Sequence, residues 1–384
     1  MLLVAMSLLV VMGATALVVD RLWLDTAQAE LSTAAEAAAL AAAGRLADDA
    51  MLQGNSVSAT TLVESRQAAQ LAASANLVAG RPVVLDLAPQ TDVRFGQVIV
   101  HAETGRKRFI QSTHEPKTVV VTAHKNRQRN NPVALLMQQL VRRSAADVIA
   151  RAEASLDNHI VGLRPVAGVP VPALPIAISR QTTTDGAPGW QQQIEDGQGA
   201  DRYSFHAASG QVVRGGDGIP EMVLSSRSTA STDPPPNFVL LGFHRQFRFP
   251  AVNRQIREGL SAQDLSHDSG QLSLAHLHID IPGCGTLNPS LTAAFESVIG
   301  QGRICLLYDR FSPQGQPDQG PLQITQLVAV RVMSATARTG HAIELVVQPT
   351  VLTTRTAVLL DEEPGHTGHP VPQNRYIYKL RLTH

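Results

Sequence analysis

Between Leu2 and Val19 the chain (LLVAMSLLVVMGATALVV) carries no charged side chain, and the run stops at Asp20-Arg21. A helix rises about 1.5 Å per residue, so a run of this length nearly matches a hydrocarbon layer about 30 Å thick. Leu2, Leu9, Val11, Leu17 and Val19 are the candidate membrane-contacting residues. The stretch that follows, Leu22 to Ala50, has no proline and is rich in alanine, the best helix former. The sequence therefore predicts one continuous rod. Residues 1–20 form a single transmembrane anchor, and an alanine-rich helical stalk occupies residues 21–80.

The alternative for the apolar run is a secretory signal peptide that is removed. Ala27-Gln28-Ala29 has the form of a cleavage site but lies about ten residues past the run, beyond Asp20, Arg21 and Asp25; Ala14-Thr15-Ala16 lies inside it. Retention as an anchor fits the length better. No Lys or Arg precedes the run, so orientation rests on the tendency of long C-terminal domains to translocate regardless of charge. The expectation is a single-pass protein of the cytoplasmic (inner) membrane with its C-terminal bulk extracytoplasmic.

Thirty-two basic and 32 acidic residues cancel, which leaves no overall field to draw the chain to nucleic acid. The basic loop Lys125-Asn126-Arg127-Gln128-Arg129 has neither an aromatic for stacking nor a glycine cradle, and reads as a solvated turn. Aromatics are only 4%, with 28 Gly and 23 Pro, a composition of many short elements joined by turns. Cys284 and Cys305 suit an exported protein with at most one disulfide. Joined, they would close a loop worth about 3 kcal/mol; two unpaired buried thiols fit the sequence equally.

In the stalk, Leu24, Leu31, Ala34, Ala38 and Ala42 recur at helical spacing and make a narrow seam that can lie close against another helix. A second helix is expected over Thr61 to Ala79, capped by Ser58 or Thr60 and stopped by Gly80 and Pro82, either repeating the stalk pattern or forming ordinary helical core of the next domain. A β-rich domain over residues 81–224 follows, with strands at Val83–Leu87, Gln97–Ala102 and Thr118–Ala123. Asn131 and Pro132 then read as N-cap and first residue of a helix whose apolar face is Val133, Leu136, Met137, Leu140 and Val141. From Val148 to Ser155 alanines alternate with polar residues, the period of a strand. Residues 225–237 (SSRSTASTDPPPN) read as a linker. A second α+β domain is expected over 238–361, with helices at Val252–Leu260 and Leu291–Ile299 and a capped turn at Ser261–Asp264, before a loop and tail over 362–384.

Residues 16–46 (ALVVDRLWLDTAQAELSTAAEAAALAAAGRL) resemble the N-terminal segment of the TadG-like (TadE/TadG) proteins of the Tad (tight adherence) Flp-pilus assembly system. The likeness lies in a membrane helix ending in the Val19-Asp20 step and an alanine block, with Glu36 where the family more often has Asp. It continues through Asp92–Gly96, TVVVTAHK, PVALLMQQL, the alternating alanine strand and GLRPVAGVPVPALPIAIS at 162–179. Beyond about residue 180 it is looser and rests on NFVLLGF, RQIREGLSAQDL, FESVIGQGRICLLYD and VRVMSA. A prepilin-peptidase site is absent. The resemblance implies a non-enzymatic, membrane-anchored minor pilin-like component, partnered by the lipid bilayer and by other pilus-assembly proteins.

The one constellation with chemical potential is LAHLHIDI, where His276, His278 and Asp280 share one face of a predicted strand. Two imidazoles and a carboxylate can hold zinc, and His366 or His369 would be the further ligands; a solvated strand face is the plainer reading. A membrane-anchored extracytoplasmic metal-dependent hydrolase is thus the alternative function, and an envelope adhesin a third. No nucleophile elbow, P-loop or dinucleotide fingerprint occurs, and no cofactor is expected. The fold class expected is α+β: one transmembrane helix running into a stalk, then two β-rich extracytoplasmic domains.

Overall fold

The computed structural model describes residues 2–53, 57–100, 107–138, 144–226, 235–243, 248–266, 270–274, 283–284, 291–311, 322–338, 343–360 and 373–383. It is a mixed α+β protein with one long N-terminal helix and β-rich sheets. Two compact units divide the chain. Unit 1 comprises residues 1–47, 56–156 and 380–384, and unit 2 residues 48–55 and 157–379. The boundaries differ from those the sequence suggested. Helix α1 (Leu2–Leu46) is indeed continuous, but only its first part stands free of the fold.

In unit 1, α1 packs on α2 (Ala59–Ser74) and on the sheet. Four strands of its sheet run antiparallel in the order β2-β1-β3-β4: β1 (Val93–Val100), β2 (Lys107–Gln111), β3 (Thr118–Lys125) and β4 (Val148–Asp157). The register sets Val119 opposite Ala154, Val121 opposite Ala152 and Ala123 opposite Ala150, so these six side chains share one face. All are buried, whereas Ile149 and Arg151 on the other face of β4 are exposed. Small residues on the strands let an alanine-rich helix approach closely. Leu31, Ala34, Ala35, Ala38, Ala39, Ala42, Ala43 and Leu46 are fully buried, and fully burying each leucine contributes about 2 kcal/mol. The expected seam is therefore a helix-packing surface occupied by the chain's own α2 and sheet. Leu24, at its start, is only half-buried. Residues 21–47 and 56–80 belong to a globular unit rather than to a separate stalk.

Ser58 caps α2, its Oγ accepting from Thr61 N at 3.0 Å. The helix stops at Ser74, five residues before the expected Ala79, because Ala79 and Gly80 take positive φ (49° and 76°) to turn a short hairpin between Leu77–Val78 and Arg81–Pro82. Val83–Leu87 is not a strand. Its polar backbone is satisfied by α2 instead, with Leu85 N donating to Gln70 Oε1 at 2.7 Å. Residues 131–137 do not form the helix expected after Asn131; Leu140 and Val141 of its apolar face lie outside the described residues. The Asn131 side chain accepts from Asn126 N at 2.9 Å, closing the preceding loop rather than capping a helix. Val133–Ala134 then pairs with Ala145–Ala146, so the chain runs extended.

Unit 2 is built on a seven-stranded sheet. In chain order its strands are β6 (Ala173–Ser179), β9 (Met222–Ser225), β10 (Phe238–Leu241), β12 (Gly283–Cys284), β13 (Gly302–Phe311), β14 (Leu322–Ala337) and β15 (Ile343–Pro349). The sheet order is β9-β15-β14-β13-β6-β10-β12, with β6 and β13 the parallel pair. A three-stranded sheet joins β5 (Ile160–Leu163) to β11 (Leu272–Ser273) and β17 (Ala357–Leu359). A separate hairpin is made by β7 (Tyr203–His206) and β8 (Gln211–Arg214), and β16 (Leu352–Thr353) pairs in parallel with the start of β18 (Ile377–Leu382). Central strands read as continuous apolar runs because both faces are covered: Ala173–Ser179 and Phe238–Leu241 are buried throughout. Helices α3 (Phe249–Glu258) and α4 (Thr292–Glu296), together with Trp190, complete the core. Gly259 ends α3 at φ 91°, and a Cβ there would stand 2.1 Å from Val171 O, so only glycine fits.

One further expectation is corrected here, and one open alternative is decided. Residues 225–237 do not separate domains, since β9 and β10 at their ends belong to the same sheet. Ser225 N donates to Asn237 Oδ1 and Asn237 N to Ser225 O, at 2.9 and 3.1 Å, closing a loop. Nor is there a Cys284–Cys305 disulfide. Cys305 is a free, buried thiol on β13, and β12, which carries Cys284, lies three strand spacings away across β6 and β10. At about 4.8 Å per spacing that separation is roughly twice what a disulfide spans.

Candidate functional site

The element with the clearest functional character is α1 where it leaves unit 1. It is the one helix among the described residues that is long and apolar enough to cross a membrane. Only 12% of its most apolar 18-residue window is buried, unlike a core helix. Val4, Met6, Leu8, Val10, Val11, Leu17 and Val18 are exposed, and Val19 is half-buried. The side chains of Leu2 and Leu9 lie outside the described set.

At Asp20 the free part of α1 becomes the packed part. Asp20 is 4% exposed. Its Oδ1 accepts from Leu136 N at 2.9 Å and from Met137 N at 3.0 Å. Three residues on, Trp23 Nε1 donates to Ala134 O at 3.0 Å. Gln28 Nε2 donates to Ile149 O at 3.0 Å, and Glu30 Oε2 accepts from Ala79 N at 2.9 Å. These polar residues interrupt the apolar face of α1 at intervals and tie the backbone of neighbouring loops and strands to it. Beside Asp20 is a cleft of about 590 Å³ lined by Leu17, Arg21, Leu24, Arg127, Leu135 and Asp147 among others. Leu136 and Met137, on the turn that Asp20 holds, are 56% and 36% exposed.

The basic loop is not a free cationic patch. Lys125 is buried, its Nζ donating to Pro82 O at 3.1 Å, and burial, then the nearby Arg81, push its pKa down. Arg129 grips the buried Asp92 with both Nη atoms, Nη2 to Oδ1 at 2.7 Å, and this hydrogen bonding raises the guanidinium pKa despite its partial burial. Arg127 Nη2 donates to Ala145 O at 2.8 Å.

In unit 2, Asp201, Asp217 and Glu221 lie close enough to disfavour one another's charge. Burial first, then this repulsion, raises the pKa of Asp217 and Glu221. Their oxygens close turns: Asp201 accepts from Asp217 N and Gly218 N, Asp217 from Ile219 N and Gln348 Nε2, and Glu221 from Arg202 N and Tyr203 N. Among the described residues no group of three or more His, Cys, Asp or Glu is arranged to hold a metal. His276, His278 and Asp280, with His366 and His369, lie outside the described residues. Sequence reasoning missed Asp20 as a structural anchor for a distant loop. Its one signal was a carboxylate placed directly after an apolar run. No family model, curated protein or solved structure matches this chain.

Proposed function

We propose that this chain is a non-enzymatic, single-pass envelope protein that acts as a minor pilin-like component in Tad-type pilus assembly, its two units held outside the cytoplasmic membrane by α1. The observation that carries the reading is the division of one helix into two environments. Between Val4 and Val18 the large apolar side chains that the structure describes are exposed, and water does not stabilise such a surface while lipid does. From Ala27 to Leu46 the same helix is the buried spine of unit 1. A subunit so built is fixed in the bilayer and rigidly coupled to its head, and the exposed half is free to pack laterally against other helices in lipid. The pilus assignment adds to this the resemblance over residues 16–46.

Fractionation of the tagged full chain tests both parts. The expected result is an uncleaved chain that resists carbonate extraction, is digested from the extracytoplasmic side, and co-purifies with pilus-assembly proteins. A mature chain that begins near Glu30 and washes free rules out the anchor. An anchored chain that recovers no pilus components rules out the assembly role.

A further inference from the structure

We infer that the turn at Leu136–Met137 is a second membrane contact, lying in the interfacial region of the same bilayer that α1 enters. The inference rests on the reading of α1 as a membrane span and adds to it a site in the globular unit. Four observations support it.

The first is level. Side chains on a helix lean toward its N-terminus, so the Asp20 carboxylate sits beside the last apolar turn, and Leu136 N and Met137 N meet it at 2.9 and 3.0 Å. Leu17 and Leu135 line the same cleft, which puts the turn alongside residues of the apolar run. The second is exposure: Leu136 and Met137 are exposed, as is Leu17, which lies on the Asp20 side of α1. The third is Trp23, whose indole bonds Ala134 O at 3.0 Å; Trp is enriched at the headgroup level, where one side of the ring is apolar and the N–H is satisfied. The fourth is charge. Arg21, paired with Asp25 at 3.2 Å, and Arg127, bonded to Ala145 O, are both exposed beside the cleft, and exposed guanidinium groups suit lipid phosphates. An interfacial bilayer contact accounts for the exposed apolar side chains, the tryptophan and the guanidinium groups together.

The contact is tested with full-length protein in vesicles of phosphatidylethanolamine and phosphatidylglycerol, in a Cys284→Ser background where Cys305 stays buried. An environment-sensitive fluorophore is placed in turn at Leu136→Cys, Val11→Cys and Ile110→Cys, the last an exposed position on β2. Expected are a blue-shifted emission at position 136 and quenching by lipids brominated near the headgroup, strong quenching of the Val11 probe by deeply brominated lipids, and none of the Ile110 probe. If the Val11 probe is quenched and the Leu136 probe behaves like Ile110, the turn is not in the membrane and the inference fails alone. A Leu136 probe shielded from water-soluble quencher but untouched by bromolipid marks a protein partner and overturns it likewise. If the Val11 probe is not quenched, the span itself fails and the inference falls with it.

Discussion

Asp20 Oδ1 accepts the backbone N–H of Leu136 at 2.9 Å, across 116 positions of sequence. A carboxylate that terminates the apolar run of one helix thus holds a turn of the domain that helix carries. Hydrogen bonds to an ionised acceptor contribute more than neutral ones. Replacing Asp20 with Ala should loosen the turn by about 2 kcal/mol, a roughly thirtyfold faster amide exchange at Leu136 and Met137. Asp20→Asn keeps an acceptor oxygen and should exchange distinctly more slowly than the alanine variant. Equal exchange in Asp20→Ala and wild type would remove Asp20 from this role.

Ala34, Ala38 and Ala42 are fully buried within unit 1, so enlarging them perturbs the chain's own fold before any partner. Ala38→Leu should lower the stability of the unit by about 1–3 kcal/mol through overpacking, read as a lower melting temperature of the detergent-solubilised chain. An unchanged melt would mean that the face is open.

Asp92 is 2% exposed and is held by both Nη atoms of Arg129. Arg129→Ala leaves that carboxylate buried without its counter-charge. The expected loss is about 3 kcal/mol, whereas the more exposed Arg127→Ala should cost under about 1 kcal/mol. Chemical denaturation of the two variants compares them directly.

Asp264 is fully buried in unit 2. Burial alone would raise its pKa, but bonds from Arg254, Ser261 and Gln255 outweigh it and hold the carboxyl at about 2, against 3.8 ordinarily. Because the folded pKa is depressed, the stabilisation is fully present above the ordinary value and is lost as pH falls through the interval from 3.8 to about 2. It amounts to about 2 kcal/mol at neutral pH. The acid-unfolding profile should lose this component in Asp264→Asn, and an identical slope in both proteins would contradict it.

Cys305 is fully buried, and burial pushes its thiol pKa up. A protonated, enclosed thiol is a poor nucleophile. Maleimide should leave Cys305 unmodified in the folded chain and modify it in denaturant, as peptide mass mapping reads out; a peptide linking Cys284 to Cys305 by a disulfide would contradict the strand order.

Local signals were the legible part of this fold. The long helix, the Ser58 cap, the alternating alanines of Val148–Ser155 and the Ser261–Asp264 box were all readable, because each depends on neighbours within a few residues. In the last, Ser261 N donates to Asp264 Oδ2 and Asp264 N to Ser261 Oγ. What was not legible depends on distant partners. Pro132 and the apolar spacing after it carry a helix signal, yet Asn131 turns back to Asn126 and Asp20 takes the amides of Leu136 and Met137. Similarly, Ser225–Asn237 has the composition of a spacer but its two ends bond each other. The alanine seam was visible as a packing surface, and only the occupant was misassigned.

Unit 1 is not closed by its first 156 residues. Thr383 N donates to Glu153 O at 2.8 Å and Thr383 Oγ1 to Glu153 Oε1 at 2.9 Å, and residues 380–384 belong with this unit. Synthesis runs the other way: the unit that is begun first is also the one completed last. The alanine spine must wait beside an open strand edge until residue 383 has been made, and a nascent chain stalled short of it would carry that edge unpaired.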